Sequence, residues 1–190
     1  MAAPGAKIPV MNKLIATFFY IGLVSKAPGT FGSLAAIPLI LTLMYFQNFW
    51  ALLAVTVVLY FIGWFATRAV MRESGLNDPQ FVVIDEVVGM LVAFITLLSI
   101  PLALMASLSV KAYDFGQWRW WLAILLLLVL FVWFRFFDIK KPWPASYFDQ
   151  QVKNAHGVML DDVVAGIIAG LATLATIFVV TFVFVLIYGI

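Results

Sequence analysis

Apolar runs of near-membrane length dominate this chain and leave it little to build but helices laid across a bilayer. Ser33 to Phe46, Trp50 to Thr67, Val87 to about Leu108, Trp118 to Phe137 and Val163 to Tyr188 carry few charges. A spanning helix needs about 20 apolar residues. Hydrocarbon offers no partner for a backbone N–H or C=O, so such runs are expected to be helical. The first run is short, but Gly32 or Gln47 can extend it. The third continues past Pro101, the fourth is aromatic at both ends as interfacial anchors tend to be, and the last is long enough to span with tilt. Leu14 to Val24, at 11 residues, is too short to cross and reads as an interfacial or re-entrant half-helix. The expected fold is an all-α polytopic membrane bundle of about five spanning helices plus that short N-terminal helix. Residues 1–190 form a single domain on this reading.

Composition narrows the function. The chain is 65% hydrophobic and 11% charged, with a mean hydropathy of +1.11. A net charge of +2, from Lys and Arg scattered among apolar runs, gives no basic stripe, so nucleic acid is not an expected partner. The absence of cysteine removes disulfides, thiolate zinc sites and a cysteine nucleophile. The single His156 removes any mechanism that needs two imidazoles. Lys7 and Lys13 before Leu14–Val24, with Ser25-Lys26-Ala27 after it, loosely resemble a secretory signal. Pro28 would follow the cut, where peptidases rarely accept it, and that reading is rejected.

Following the runs through the bilayer sorts the charges. The loop at Lys26–Gly32, the segment Arg68–Glu86 and the segment Asp138–Asp162 fall on one side, with Lys26, Arg68, Arg72, Lys140, Lys141 and Lys153, and with Arg135 one turn inside. The other side has the Gln47-Asn48-Phe49 turn and the loop around Lys111 and Asp114, with Arg119. The positive-inside rule makes the first side cytoplasmic. That side also receives five carboxylates: Asp85 and Glu86, Asp138, and Asp161 and Asp162.

Four segments carry the chemistry. In Lys26-Ala27-Pro28-Gly29-Thr30-Phe31-Gly32-Ser33, the glycines allow close backbone approach. Thr30 and Ser33 are natural N-caps on a helix whose N-terminus favours an anion. The segment reads as a phosphate cradle with Lys26 nearby, or as an ordinary capped turn. Asp85-Glu86, followed by Gly89, exceeds the one acid that dipole compensation requires. Asp138 lies three residues from both Arg135 and Lys141, so either can pair with it. With Lys140, these cations exceed what one carboxylate needs, which suits a phosphate or lipid headgroup; a snorkelling basic boundary beside Trp143 is the plainer alternative. Asp162, Gly166 and Gly170 recur every four residues, a stripe that lets another helix come close. Five carboxylates gathered in a dry site repel one another unless a cation neutralises them. Oxygen donors without His or Cys suit a hard ion, Mg²⁺ first and Mn²⁺ second. His156, alone in a polar segment, reads as solvated rather than catalytic.

Taken together, Pro28-Gly29-Thr30-Phe31-Gly32-Ser33-Leu34, Asp85-Glu86-Val87-Val88-Gly89-Met90, Arg135-Phe136-Phe137-Asp138-Ile139-Lys140-Lys141-Pro142-Trp143-Pro144 and Asp161-Asp162-Val163-Val164-Ala165-Gly166 resemble the phosphatidylglycerophosphatase A family in order and spacing. The resemblance covers residues 25 to 170, and Gln150 to His156 match no signature of it. It implies a bacterial, Mg²⁺-dependent enzyme of the inner membrane that removes the terminal phosphate of phosphatidylglycerophosphate, leaving phosphatidylglycerol.

The expected mechanism is metal-assisted hydrolysis at the cytoplasmic interface. Asp85, Glu86, Asp138, Asp161 and Asp162 would hold one or two Mg²⁺ and carry the catalysis. Lys26, Thr30, Ser33, Arg135, Lys140 and Lys141 would bind the phosphate. Two rivals differ in what they require. A lipid phosphotransferase of the CDP-alcohol type resembles a longer run of spaced aspartates that is absent here. A small ion transporter would place its acids near mid-membrane.

Overall fold

A helix that is apolar all round must be covered by other helices or by lipid, and the helices of this chain divide along that line. The computed structural model describes residues 8–24, 26–46, 48–107 and 120–189, with residues 100–107 and 120 described by their backbone alone. Among these residues every regular element is helical: α1 (Val10–Ala16), α2 (Pro28–Tyr45), α3 (Phe49–Ser74), α4 (Ile84–Ser107), α5 (Trp120–Lys140), α6 (Ala145–Gln151) and α7 (Ala155–Tyr188), with a 3₁₀ turn at Ile21–Leu23. The helical membrane bundle expected from the sequence is the architecture found. The loop around Lys111 and Asp114, together with Gln47 and Arg119, lies outside the described residues.

α4 is the core. Its Val87, Val88, Met90, Leu91 and Ala93 are 0% exposed, and it packs against α2, α3, α5 and most extensively α7. The surrounding helices turn large apolar side chains outward, among them Phe61 and Phe65 on α3, Val132 on α5 and Phe178 on α7. In water such faces would be a liability; against acyl chains they cost nothing. α2, α3, α5 and α7 are each long and apolar enough to cross a membrane. α4, at 24 residues, is about 36 Å long and matches them.

Small residues set the closest approach in the bundle. A Cβ on Gly166 would lie 2.3 Å from the Gly89 carbonyl oxygen, and one on Gly170 would lie 2.6 Å from that of Ala93. α7 therefore lies directly on the α4 backbone along the stripe that begins at Asp162.

Helix ends depart from the apolar runs in a consistent way. α3 continues seven residues past Thr67 to Ser74, where Gly75 (φ 69°) closes it. α7 begins at Ala155, eight residues before Val163, and the Asn154 side chain accepts from the N–H groups of His156 and Gly157. Hydropathy locates where lipid ends; the hydrogen-bond ladder runs on into the interface until a cap stops it.

The N-terminal segment is corrected more substantially. No half-helix spans Leu14–Val24. α1 ends at Ala16, and Phe18, Phe19 and Tyr20 follow with φ of 41°, 57° and 68°. Left-handed residues cannot continue a right-handed helix. Buried Thr17 stabilises the break: its hydroxyl donates to the Lys13 carbonyl at 2.7 Å and accepts the Tyr20 N–H at 3.0 Å. The segment is then fastened to the start of α4 by the Val83 N–H, which donates to the Ala16 carbonyl at 2.9 Å.

Candidate active site

α2, α4 and α7 begin, and α5 ends, at one end of the bundle, around a cavity of about 440 Å³. The first turn of α4 contributes Asp85 and Glu86, the last turn of α5 contributes Asp138, and the second turn of α7 contributes Asp161 and Asp162. All five line the cavity. The sequence scatters these acids over 78 positions, from Asp85 to Asp162; α7 packed directly on a parallel α4, with the antiparallel α5 against both, gathers them.

The five are not equivalent. One oxygen from each of Asp85, Glu86 and Asp162 lies within 4.8 Å of the others. Asp85 and Asp162 are 7% and 4% exposed, and Glu86 Oε2 is buried without a protein partner. Grouped, buried carboxylates without a counter-charge are costly. A hard cation among them would remove that cost, and an all-oxygen donor set suits Mg²⁺. The residues present therefore fit the metal.

Asp138 and Asp161 instead face protein cations. Asp138 pairs with Arg135 one turn earlier on α5. The Arg135 guanidinium also reaches Ser33 Oγ at 3.5 Å through Nη1, while its Nε is buried without a partner. Lys141 Nζ bridges Asp149 Oδ1 at 2.5 Å and Asp161 Oδ2 at 2.6 Å. Burial opposes the charge on Lys141, but the hydrogen bonds and charges of Asp149 and Asp161 outweigh it and raise the pKa above the ordinary lysine value.

The start of α2 closes the cavity from above. A Cβ on Gly29 would lie 2.3 Å from Glu86 Oε1, so only glycine lets this backbone approach the carboxylate. Of the expected phosphate ligands, Lys26, Arg135 and Lys141 line the cavity, whereas Thr30, Ser33 and Lys140 do not. Thr30 and Ser33 are also not caps. α2 starts at Pro28 with Ala27 in the capping position, so both lie inside the first two turns. Ser33 is fully buried and donates back to the Gly29 carbonyl at 2.8 Å; it meets the site only through Arg135. Lys140, the last residue of α5, is exposed.

Asp149, Lys153, Asp78 and Gln80 also line the cavity and were not singled out from sequence. Asp149 sits on the two-turn helix α6, between Pro144 and Asn154, where hydropathy is uninformative. Asp78 and Gln80 flank Pro79, and Asn77-Asp78-Pro79 reads only as a turn. His156 does not line the cavity: it stacks on Trp64 with ring centroids 4.4 Å apart, its Nδ1 3.5 Å from the Tyr60 hydroxyl.

Comparison with known proteins identifies relatives of the chain. The sequence profile of the family described as Phosphatidylglycerophosphatase A matches residues 14–177. The chain is 36% identical over 174 residues to phosphatidylglycerophosphatase A of Haemophilus influenzae, covering 90% of this chain and 93% of that one. It is 35% identical over 159 residues to phosphatidylglycerophosphatase A of Escherichia coli, covering 82% and 77%. A Bacteroides thetaiotaomicron protein whose name provisionally makes it a phosphatidylinositol-3-phosphatase is 35% identical over 158 residues, covering 81% and 86%. No solved structure matches the chain. With the profile spanning most of its length and two such relatives aligned almost throughout, the chain belongs to the phosphatidylglycerophosphatase A family.

Proposed function

We propose that this protein hydrolyses the terminal phosphomonoester of phosphatidylglycerophosphate to phosphatidylglycerol and inorganic phosphate, with Mg²⁺ held by Asp85, Glu86 and Asp162, at the cytoplasmic face of a bacterial inner membrane. The observation that carries the reading is the convergence of those three carboxylates, one oxygen of each within 4.8 Å of the others, in a cavity also lined by Arg135, whose Nε is buried without a partner. Family membership supports the substrate. The excess of Lys and Arg at the cavity end supports the orientation.

When bound, Mg²⁺ would supply a Lewis acid for the phosphoryl oxygens and lower the pKa of the attacking water. The protein's own groups place and stabilise the charge. As a water oxygen adds to phosphorus and the bond to the glycerol oxygen breaks, negative charge grows on the leaving oxygen and on the phosphoryl oxygens. Arg135, fixed beforehand by Asp138 and Ser33, meets that charge without reorganising. Asp138 and Asp161 hold Arg135 and Lys141 in place, so the five-carboxylate metal set expected from sequence divides into three ligands and two anchors. An ion-transport role finds no support, because the acids cluster at one end of the helices.

Phosphate release from phosphatidylglycerophosphate by the purified protein tests the reading. Wild type is expected to need Mg²⁺ and to lose activity with EDTA. Asp85→Asn and Asp162→Asn are each expected to lose about 100-fold or more, at or beyond the upper end for residues that only support a metal ligand. Full activity in both variants would falsify the metal assignment.

A further inference from the structure

A second cavity, of about 540 Å³, adjoins the first and shares Lys26, Pro28, Asp78 and Gln80 with it. Its remaining wall is Gly22 on the N-terminal turn and Leu76 and Phe81 between α3 and α4. Nothing in the hydrolysis above uses this space. Yet the substrate carries a second phosphate, the diester that joins its glycerol to the diacylglycerol, three carbons from the phosphate that is cleaved. That anion needs a place outside the carboxylate cluster, which would repel it.

Among the described residues the wall of this second cavity holds one cation, Lys26. At the first cavity Arg135 is engaged by Asp138, Lys141 by Asp149 and Asp161, and Lys153 by the Asp149 carbonyl. Lys26 stands on the wall common to both cavities and has no carboxylate partner among the described residues. Asp78 and Gln80 on the same wall offer an acceptor and an amide, which suit the free hydroxyl of a glycerol. The turn that carries Gly22 also exposes Leu23 and Val24, at 45% and 84%, apolar surface that acyl chains leaving the site can cover.

We infer that this second cavity is the headgroup subsite, in which Lys26 holds the phosphodiester that is not cleaved and Asp78 and Gln80 read the glycerol between the two phosphates. The inference rests on the reaction proposed above and reassigns Lys26 from the reacting phosphate to its neighbour. It also gives the N-terminal turn a function, as one wall of the subsite.

Binding, measured separately from turnover, tests it. Glycerophosphoglycerol carries the diester and no monoester; inorganic phosphate carries no diester and stands in for the phosphoryl group that is cleaved. Each is titrated calorimetrically into the whole detergent-solubilised protein in Mg²⁺, for wild type, Lys26→Ala and Asp78→Asn. Lys26→Ala is expected to weaken glycerophosphoglycerol by about tenfold or more, the scale of a lost charged hydrogen bond, and to leave inorganic phosphate within twofold. Asp78→Asn is expected to weaken the same ligand by a few-fold. Equal weakening of both ligands by Lys26→Ala would return Lys26 to the cleaved phosphate and overturn the subsite. So would unchanged binding of both, or a wild type that does not bind the diester. Failure of wild type to release phosphate from the lipid would count against the proposed reaction, and the diester titration would still judge the subsite.

Discussion

Lys141 occupies a left-handed backbone conformation, φ 43°, which costs a non-glycine residue about 1–2 kcal/mol. A glycine in that position would end α5 with less strain, so the lysine is there for its ammonium. Turning the chain at this point aims Nζ between Asp149 and Asp161, tying α6 to α7 across the cavity. Asp161 is next to a proposed metal ligand, and a loose Asp161 carboxylate would compete for the ion. Lys141→Met is therefore expected to lower phosphate release by about tenfold or more, on the scale of a lost supporting contact, and to raise the Mg²⁺ concentration for half-maximal rate. Asp149→Asn, which leaves the Asp161 pair intact, is expected to lose less. Equal rates for wild type and Lys141→Met would remove Lys141 from the site. The pH dependence has a definite sign. Because the folded pKa is raised, the stability this lysine contributes is fully present below its unfolded value of about 10.4 and is lost only as pH rises through the higher folded value. A thermal-unfolding series on wild type and Lys141→Met should accordingly show a difference that does not fade as pH rises from neutral toward about 10.

At the scale of elements, the α4–α7 contact brings Asp85, Glu86 and Asp162, the proposed metal ligands, together, and glycine makes it possible. Gly166→Ala would drive a methyl group into the Gly89 carbonyl, 2.3 Å away, and backbone cannot give as a flexible side chain can. Overpacking of this kind costs about 1–3 kcal/mol. It should also move Asp162 away from Asp85 and Glu86. The variant is expected to unfold at lower temperature and, while still folded, to need more Mg²⁺. Unchanged Mg²⁺ dependence would mean that the helix spacing does not set the ligand geometry. This contact was legible in the sequence because Asp162, Gly166 and Gly170 repeat at helical spacing and no other reading explains small residues beside paired acids. The five carboxylates were legible for a similar reason, since acid at the end of an apolar run is conspicuous. Asp149 and Lys26's true neighbourhood were not, because they depend on how short polar connectors fold back over the cavity. The left-handed break after Ala16 was hidden as well: Phe18, Phe19 and Tyr20 give no turn signal, and Thr17's hydroxyl, the turn's own backbone hydrogen bonds and the docking of Val83 stabilise it.

For the whole molecule, the proposed sidedness of the cavity can be checked directly. From Asp162 to Tyr188, α7 advances 26 residues (188 − 162) without a break, or about 39 Å at 1.5 Å per residue. That exceeds a hydrocarbon core of about 30 Å, so a helix whose second turn lies at the inner interface must emerge on the far side. Lys26, Arg68, Arg72, Lys140, Lys141 and Lys153 all lie at the cavity end of their helices or in its connectors. By the positive-inside rule this end is the one proposed above to face the cytoplasm. Because the chain has no cysteine, single introduced cysteines report without background. Tyr188→Cys, exposed at the end of α7, should react with a membrane-impermeant maleimide applied to the periplasmic face. Gln151→Cys, exposed at the end of α6, should react only in inverted vesicles. The reverse pattern would put the cavity on the outer face and overturn the proposed orientation.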